Sequence, residues 1–107
     1  MTLSNMNPAV NRMRVVHPGE ILREDYLLPL QLSVNALALA LGVPATRIHE
    51  IVKERRAITA DTAARLAIYF GGDAASWLAM QANYELKTLP NLKAIESVVR
   101  VRERFTA

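Results

Sequence analysis

The run Ser33-Val34-Asn35-Ala36-Leu37-Ala38-Leu39-Ala40-Leu41-Gly42-Val43-Pro44-Ala45-Thr46-Arg47-Ile48-His49-Glu50-Ile51-Val52-Lys53 holds two short helical patterns with almost nothing between them. Val34, Leu37, Ala38 and Leu41 fall at i, i+3, i+4 and i+7, one face of a helix, and Ser33 suits its N-cap. Gly42 supplies a left-handed exit and Pro44 starts a second helix, whose inward residues are Ile48, Ile51 and Val52. The spacing of Ala38, Gly42, Val43 and Ile48 is that of a helix-turn-helix. Ala38 must be small because the second helix crosses close by. Gly42 lets the backbone turn sharply, and Ile48 with Ile51 buries the second helix.

Upstream, residues 1 to 16 lack helical periodicity and gather Arg12 and Arg14, which predicts a flexible basic arm. His17-Pro18-Gly19-Glu20 opens a first helix, with Pro18 at a position where its missing N–H is not needed, and Pro29 is expected to stop it. Downstream, Thr59 caps a helix with core residues Ala63, Leu66, Ala67 and Phe70, its start stapled by Ile58. Gly71-Gly72 end that helix, and Asp73 caps another running through Trp77 to about Thr88. From Asn91 to Phe105 an amphipathic stripe of Leu92, Ile95, Val98, Val99 and Phe105 predicts a short tail helix. Nothing reads as a strand. The expectation is an all-α fold of five helices and a short C-terminal helix, with one domain over residues 17–88, the arm before it and a tail over 89–107.

Composition agrees with a single globular domain. The chain has 107 residues, 51% hydrophobic and 21% charged, with four Gly and five Pro, which is packed rather than disordered composition. Cysteine is absent, so no disulfide or thiolate metal site is available and a reducing, cytoplasmic setting is expected. No apolar run reaches the roughly 20 residues of a membrane span. The net charge of +3 favours acidic partners but is modest, so placement of the charges decides.

At about 100° per residue, the face of the second motif helix opposite Ile48, Ile51 and Val52 holds Thr46, Glu50 and Lys53, flanked by Arg47 and His49. These five are the base-contacting candidates for double-stranded DNA. Arg47 suits guanine O6 and N7, Glu50 can accept from cytosine N4, and Thr46 can offer its hydroxyl to a base edge or its methyl to thymine. An acid aimed at a phosphate-lined groove is costly unless it meets a donor, so Glu50 argues for specific reading, although Lys53 one turn along could pair with it. Ser33 and Asn35 at the start of the first motif helix, and Arg55 and Arg56 just past the second, are the phosphate-contacting candidates.

The run His17-Pro18-Gly19-Glu20-Ile21-Leu22, the motif itself, Arg56-Ala57-Ile58-Thr59 with Asp61-Thr62-Ala63 and Arg65-Leu66, and the closing Trp77-Leu78 and Gln81-Ala82-Asn83-Tyr84-Glu85-Leu86 resemble the HigA-type antitoxins. These are a branch of the lambda-repressor-like (XRE) helix-turn-helix proteins, and the resemblance spans roughly His17 to Lys87. It implies a type II antitoxin that neutralises a small HigB-like mRNA-cleaving toxin and represses its own operon as a dimer on a palindromic operator. It also places the family's reading helix over Ala45 to Lys53. The alternatives are a repressor of the same fold without a toxin partner, and a protein-interaction module that has lost DNA binding.

No enzyme is expected, and no catalytic residue, cofactor or metal. His17 and His49 lie on different elements without acid–His ligand spacing, Ser33 lacks a nucleophile's Gly-flanked elbow, and there is no Gly-rich phosphate loop. Trp77, Leu78, Tyr84, Leu86, Leu92, Ile95 and Val99 are more apolar than a five-helix core requires, and they are assigned to a homodimer interface. Two reading helices must sit about 34 Å apart to enter successive major grooves. The toxin-binding surface is expected in the arm or the tail, because terminal segments can order on a partner.

Overall fold

A computed structural model of the chain describes residues 14–102. Within them the structure is helical. Pro18–Ile21, Leu22–Leu27 and Leu28–Leu30 run on as one helix, α1, followed by α2 (Val34–Leu41), α3 (Ala45–Val52), α4 (Ala60–Phe70), α5 (Ala74–Lys87) and α6 (Leu92–Val98). Five helices and a short tail helix match the expected all-α class. Most of the expected arm, residues 1–13, and the end of the expected tail stripe, including Phe105, lie outside the described residues.

Local chemistry sets the starts of these helices. Ser33 accepts from the Ala36 N–H at 3.0 Å, Thr59 from Thr62 at 3.5 Å and Asp73 from Ala75 at 3.0 Å, each pairing a donor that the first turn leaves without a helical partner. Helix α1 is capped by a histidine: His17 Nδ1 accepts from the Gly19 N–H at 2.8 Å. Pro29 does not stop α1 as expected. The middle of that helix, Leu22–Leu27, is π-helical, and the Leu28 N–H reaches back five residues to the Arg23 carbonyl. In a regular α-helix the proline ring collides with the carbonyl four residues back, and the wider π turn just before Pro29 eases that conflict. The helix ends instead at Gln31, in the left-handed region at φ 53°.

The core gathers Leu22 and Leu27 from α1, Leu37, Ala38 and Leu41 from α2, Ile48, Ile51 and Val52 from α3, and Leu66 from α4. Helix α2 packs on α3 and α4, α4 on α5, and α1 on both α3 and α5. Burying roughly 25 cal/mol for each Å² of apolar surface, this cluster is what holds α3 at a fixed angle. Gly19 is the tightest point. A Cβ there would lie 1.8 Å from the Ile51 carbonyl oxygen, so α1 crosses the end of α3 at backbone contact and only glycine fits.

One group of sequence expectations divides here. Trp77, assigned to a dimer interface, is 4% exposed and belongs to the core, its ring 5.4 Å from that of Tyr26. The indole is needed to close α5 over α1, so a partner subunit has almost none of it to cover. Leu78 is half-buried against the same core, and Tyr84 sets its ring edge against His17 at 4.7 Å. Leu86, Leu92, Ile95 and Val99 are exposed, and no residue of α6 is buried.

Candidate nucleic-acid interface

Helix α3 has eight residues and buries Ile48, Ile51 and Val52, so its outer face is left to the polar residues between them. Its start follows from the turn. Gly42 takes φ 71°, the Val43 N–H closes on the Ala38 carbonyl at 3.0 Å and the Gly42 N–H on Leu39 at 3.2 Å. This is the pair of bonds that ends a helix in a left-handed residue. Pro44, extended at ψ 142°, then delivers the chain into α3.

The end of α3 is built the same way, without glycine. Glu54 sits at φ 64°, the Arg55 N–H bonds the Glu50 carbonyl and the Glu54 N–H bonds Ile51, both at 2.9 Å. Arg23 from α1 donates to the Val52 carbonyl and lies 3.4 Å from Glu54, a cation placed at the negative end of the helix. The loop that follows is pinned from α5. The buried Ile58 N–H donates to Gln81 Oε1 at 2.9 Å, and Gln81 Nε2 donates to Glu85 at 3.0 Å.

On the outer face the residues singled out from the sequence lie side by side. Thr46 and Lys53 are exposed, and Arg47, His49 and Glu50 are half-buried. Lys53 is the C-cap rather than a helical residue. His49 Nε2 lies 3.2 Å from Asn35 Oδ1, joining α3 to the start of α2. Glu50 pairs with Arg55 at 3.8 Å, not with Lys53. Arg47 Nη1 donates to Asp61 Oδ2 on α4 at 2.6 Å. The Ser33 hydroxyl is engaged in its cap, and Arg56 is exposed in the loop. The structure thus brings Asn35 together with His49, and Glu50 with Arg55.

Sequence reasoning gave no role to Asp61, Arg65, Arg23, Glu54 or Gln81, all of which hold this surface. Gln81 had a signal: it lies four residues after Trp77, a polar side chain on the inward face of α5. Hydrogen bonds from Arg65 first and Arg47 second hold the Asp61 carboxyl below the usual carboxylate range. Among the described residues no group of three or more His, Asp or Glu could hold a metal ion, and no helix is long and apolar enough to cross a membrane.

The helix-turn-helix family model matches residues 24–77, half of the chain. The chain belongs to the helix-turn-helix family. A relative, virulence-associated protein I of Dichelobacter nodosus, is 65% identical over 77 residues, covering 72% of this chain and 71% of that protein. Among solved structures, Pseudomonas aeruginosa antitoxin HigA with the higBA promoter is similar at 44% identity and a TM-score of 0.78, over 81% of this chain and 97% of its own. An addiction module antidote protein of the HigA family from Coxiella burnetii is 41% identical with a TM-score of 0.78, over 83% and 99%. The likeness to HigA-type antitoxins drawn from the sequence therefore holds in sequence and in fold.

Proposed function

We propose that this helix-turn-helix protein is an operator-binding antitoxin. It binds a palindromic stretch of double-stranded DNA as a homodimer, represses its own operon and neutralises a small HigB-like toxin that cleaves mRNA. The observation that carries the reading is the outer face of α3, where Thr46, Arg47, His49, Glu50 and Lys53 surround a fully buried apolar side, in a chain 44% identical to an antitoxin solved with its promoter. Arg47 reads guanine, Glu50 accepts from cytosine, and Thr46 and His49 contact base edges. Ser33, Asn35, Arg55 and Arg56 set the register on phosphates.

Two measurements test this. Sequencing DNA selected by the purified protein yields a palindrome under the proposal, and a flat selection with no preferred sequence sinks the operator role. Co-expression with a small HigB-like toxin tests the toxin half. A stable complex that abolishes mRNA cleavage is expected; a chain that binds the palindrome but captures no toxin is a repressor alone.

A further inference from the structure

Asp61 and Arg65 sit one turn apart on α4, and both reach away from it toward the helix-turn-helix. Arg65 Nη1 donates to the Leu41 carbonyl in the last turn of α2 at 2.8 Å, and its Nε donates to Asp61 Oδ2 at 2.9 Å. The same Asp61 oxygen accepts Arg47 Nη1 at 2.6 Å. A chain of hydrogen bonds therefore runs from the end of α2 through two side chains of α4 to a guanidinium on α3. Arg65 is fixed at two atoms, so Asp61 has little freedom to follow Arg47; Arg47 follows Asp61. Ion pairs this exposed add little stability, which leaves orientation as their effect.

The geometry constrains Arg47 without using it up. A guanidinium carries five N–H donors, and Asp61 engages it only at Nη1, leaving the edge formed by Nε and Nη2 with two parallel donors. Two parallel donors are what guanine O6 and N7 require. The Arg47 side chain is 27% exposed against 64% for Arg55, so it has already lost much of the freedom that binding would otherwise remove.

Resting on the DNA-reading role of α3, we propose that Asp61 and Arg65 are positioning residues that preset the Arg47 guanidinium for one guanine, and so determine base preference without touching a base. Asp61 lowers random binding as well, since it places a negative charge beside the phosphates.

The test compares wild type, D61N, R65K, R47A and the double variant R47A/D61N on the selected operator, on that operator with single base pairs changed, and on random duplex of equal length. Thermal unfolding of each variant checks the fold. R47A identifies the base pair. D61N is expected to lower preference at that same pair by about threefold to tenfold, a part of what a bidentate contact supplies, while random-duplex affinity holds or rises. R65K, which keeps the charge but not the fork, is expected to lower it less. In the R47A background, D61N has no further effect on preference. Unchanged preference in folded D61N overturns the proposal, as does equal loss with and without Arg47. A preference that rises in D61N overturns it too, because Asp61 would then sequester Arg47. A wild-type chain without base preference overturns the DNA reading together with this role, whereas the other failures leave the DNA reading standing.

Discussion

Arg47 and Arg55 carry the same charge in different surroundings, and this separates their expected effects on DNA. Arg47 is half-buried and tied to Asp61, whereas Arg55 is open to solvent and pairs with Glu50 only at 3.8 Å. Arg47→Ala is expected to weaken operator binding by about 1–3 kcal/mol and to relax preference at one base pair. Arg55→Ala should weaken operator and random DNA alike and flatten the salt dependence by about one ion; titrations at several salt concentrations measure both, and an unchanged salt slope removes Arg55 from the phosphate contacts. His17 makes a different prediction. Burial, partly opposed by Glu54, lowers its pKa below the ordinary histidine value, and protonation at Nδ1 would destroy the cap on Gly19 and set a cation at a helix N-terminus. Because the unfolded chain takes up this proton first as pH falls, the contribution is fully present above about pH 6.5. It is lost as pH drops through that value and levels off below the folded pKa. Chemical denaturation between pH 7.5 and 5.5 should show the loss in wild type and its absence in His17→Asn, with His49 kept in both; matching slopes in the two proteins would refute the assignment.

The elements show why some of this was legible and some not. The starts of α2, α4 and α5 were written locally, because Ser33, Thr59 and Asp73 carry the side-chain acceptors that first turns need. Helix ends were marked less consistently: Gly71 closes α4 and Thr88 closes α5 as expected, but others carried no such mark. The same closing pair of backbone bonds recurs at Gln31, Gly42 and Glu54, yet only Gly42 has the residue type that signals a left-handed position. At Glu54 the strain is offset by the ion pair with Arg23, which comes from another helix. Pro29 misled for a related reason, since the π turn that accommodates it depends on how α1 must lie over α3 and α5. Positions on the outer face of α3 followed from helical angles, but the anchors of Arg47 and Ile58, on α4 and α5, became visible only with the tertiary fold. Gly19 belongs to this class. Gly19→Ala forces α1 off the Ile51 carbonyl and is expected to cost about 1–3 kcal/mol or more, and to weaken operator binding because α3 moves with it. Denaturation and gel shift together check this; a variant as stable as wild type would mean the crossing can widen freely.

For the whole molecule the limiting fact is the size of the proposed reading element. A helix of eight residues reads too few base pairs to stand out from random DNA, and pairing two of them about 34 Å apart adds their contacts on a symmetric site. Exposed apolar side chains where a second copy could be held include Leu28 and Leu30 at the end of α1 and two further groups. One comprises Leu86, Leu92, Ile95 and Val99 along the end of α5 and α6, the residues left exposed once Trp77, Leu78 and Tyr84 are accounted for within the fold. The other comprises Leu39 on α2 and Ile68 and Tyr69 on α4, two helices packed on one another, with Leu39 and Ile68 each 84% exposed; the sequence reading had not singled it out. The first is the expected interface, because the whole of α6 is exposed in a single chain and an amphipathic helix of seven residues is too short to persist in water without a partner surface. Ile95→Asp with Val99→Asp should therefore yield a monomer by sedimentation, with the core's thermal transition retained because neither side chain is buried. Operator affinity should drop and depend less steeply on protein concentration. Leu39→Asp with Ile68→Asp should leave the dimer intact, and the opposite pattern would move the interface to α2 and α4. Mass separates these outcomes where DNA affinity alone does not, since added acids repel phosphates wherever they are placed.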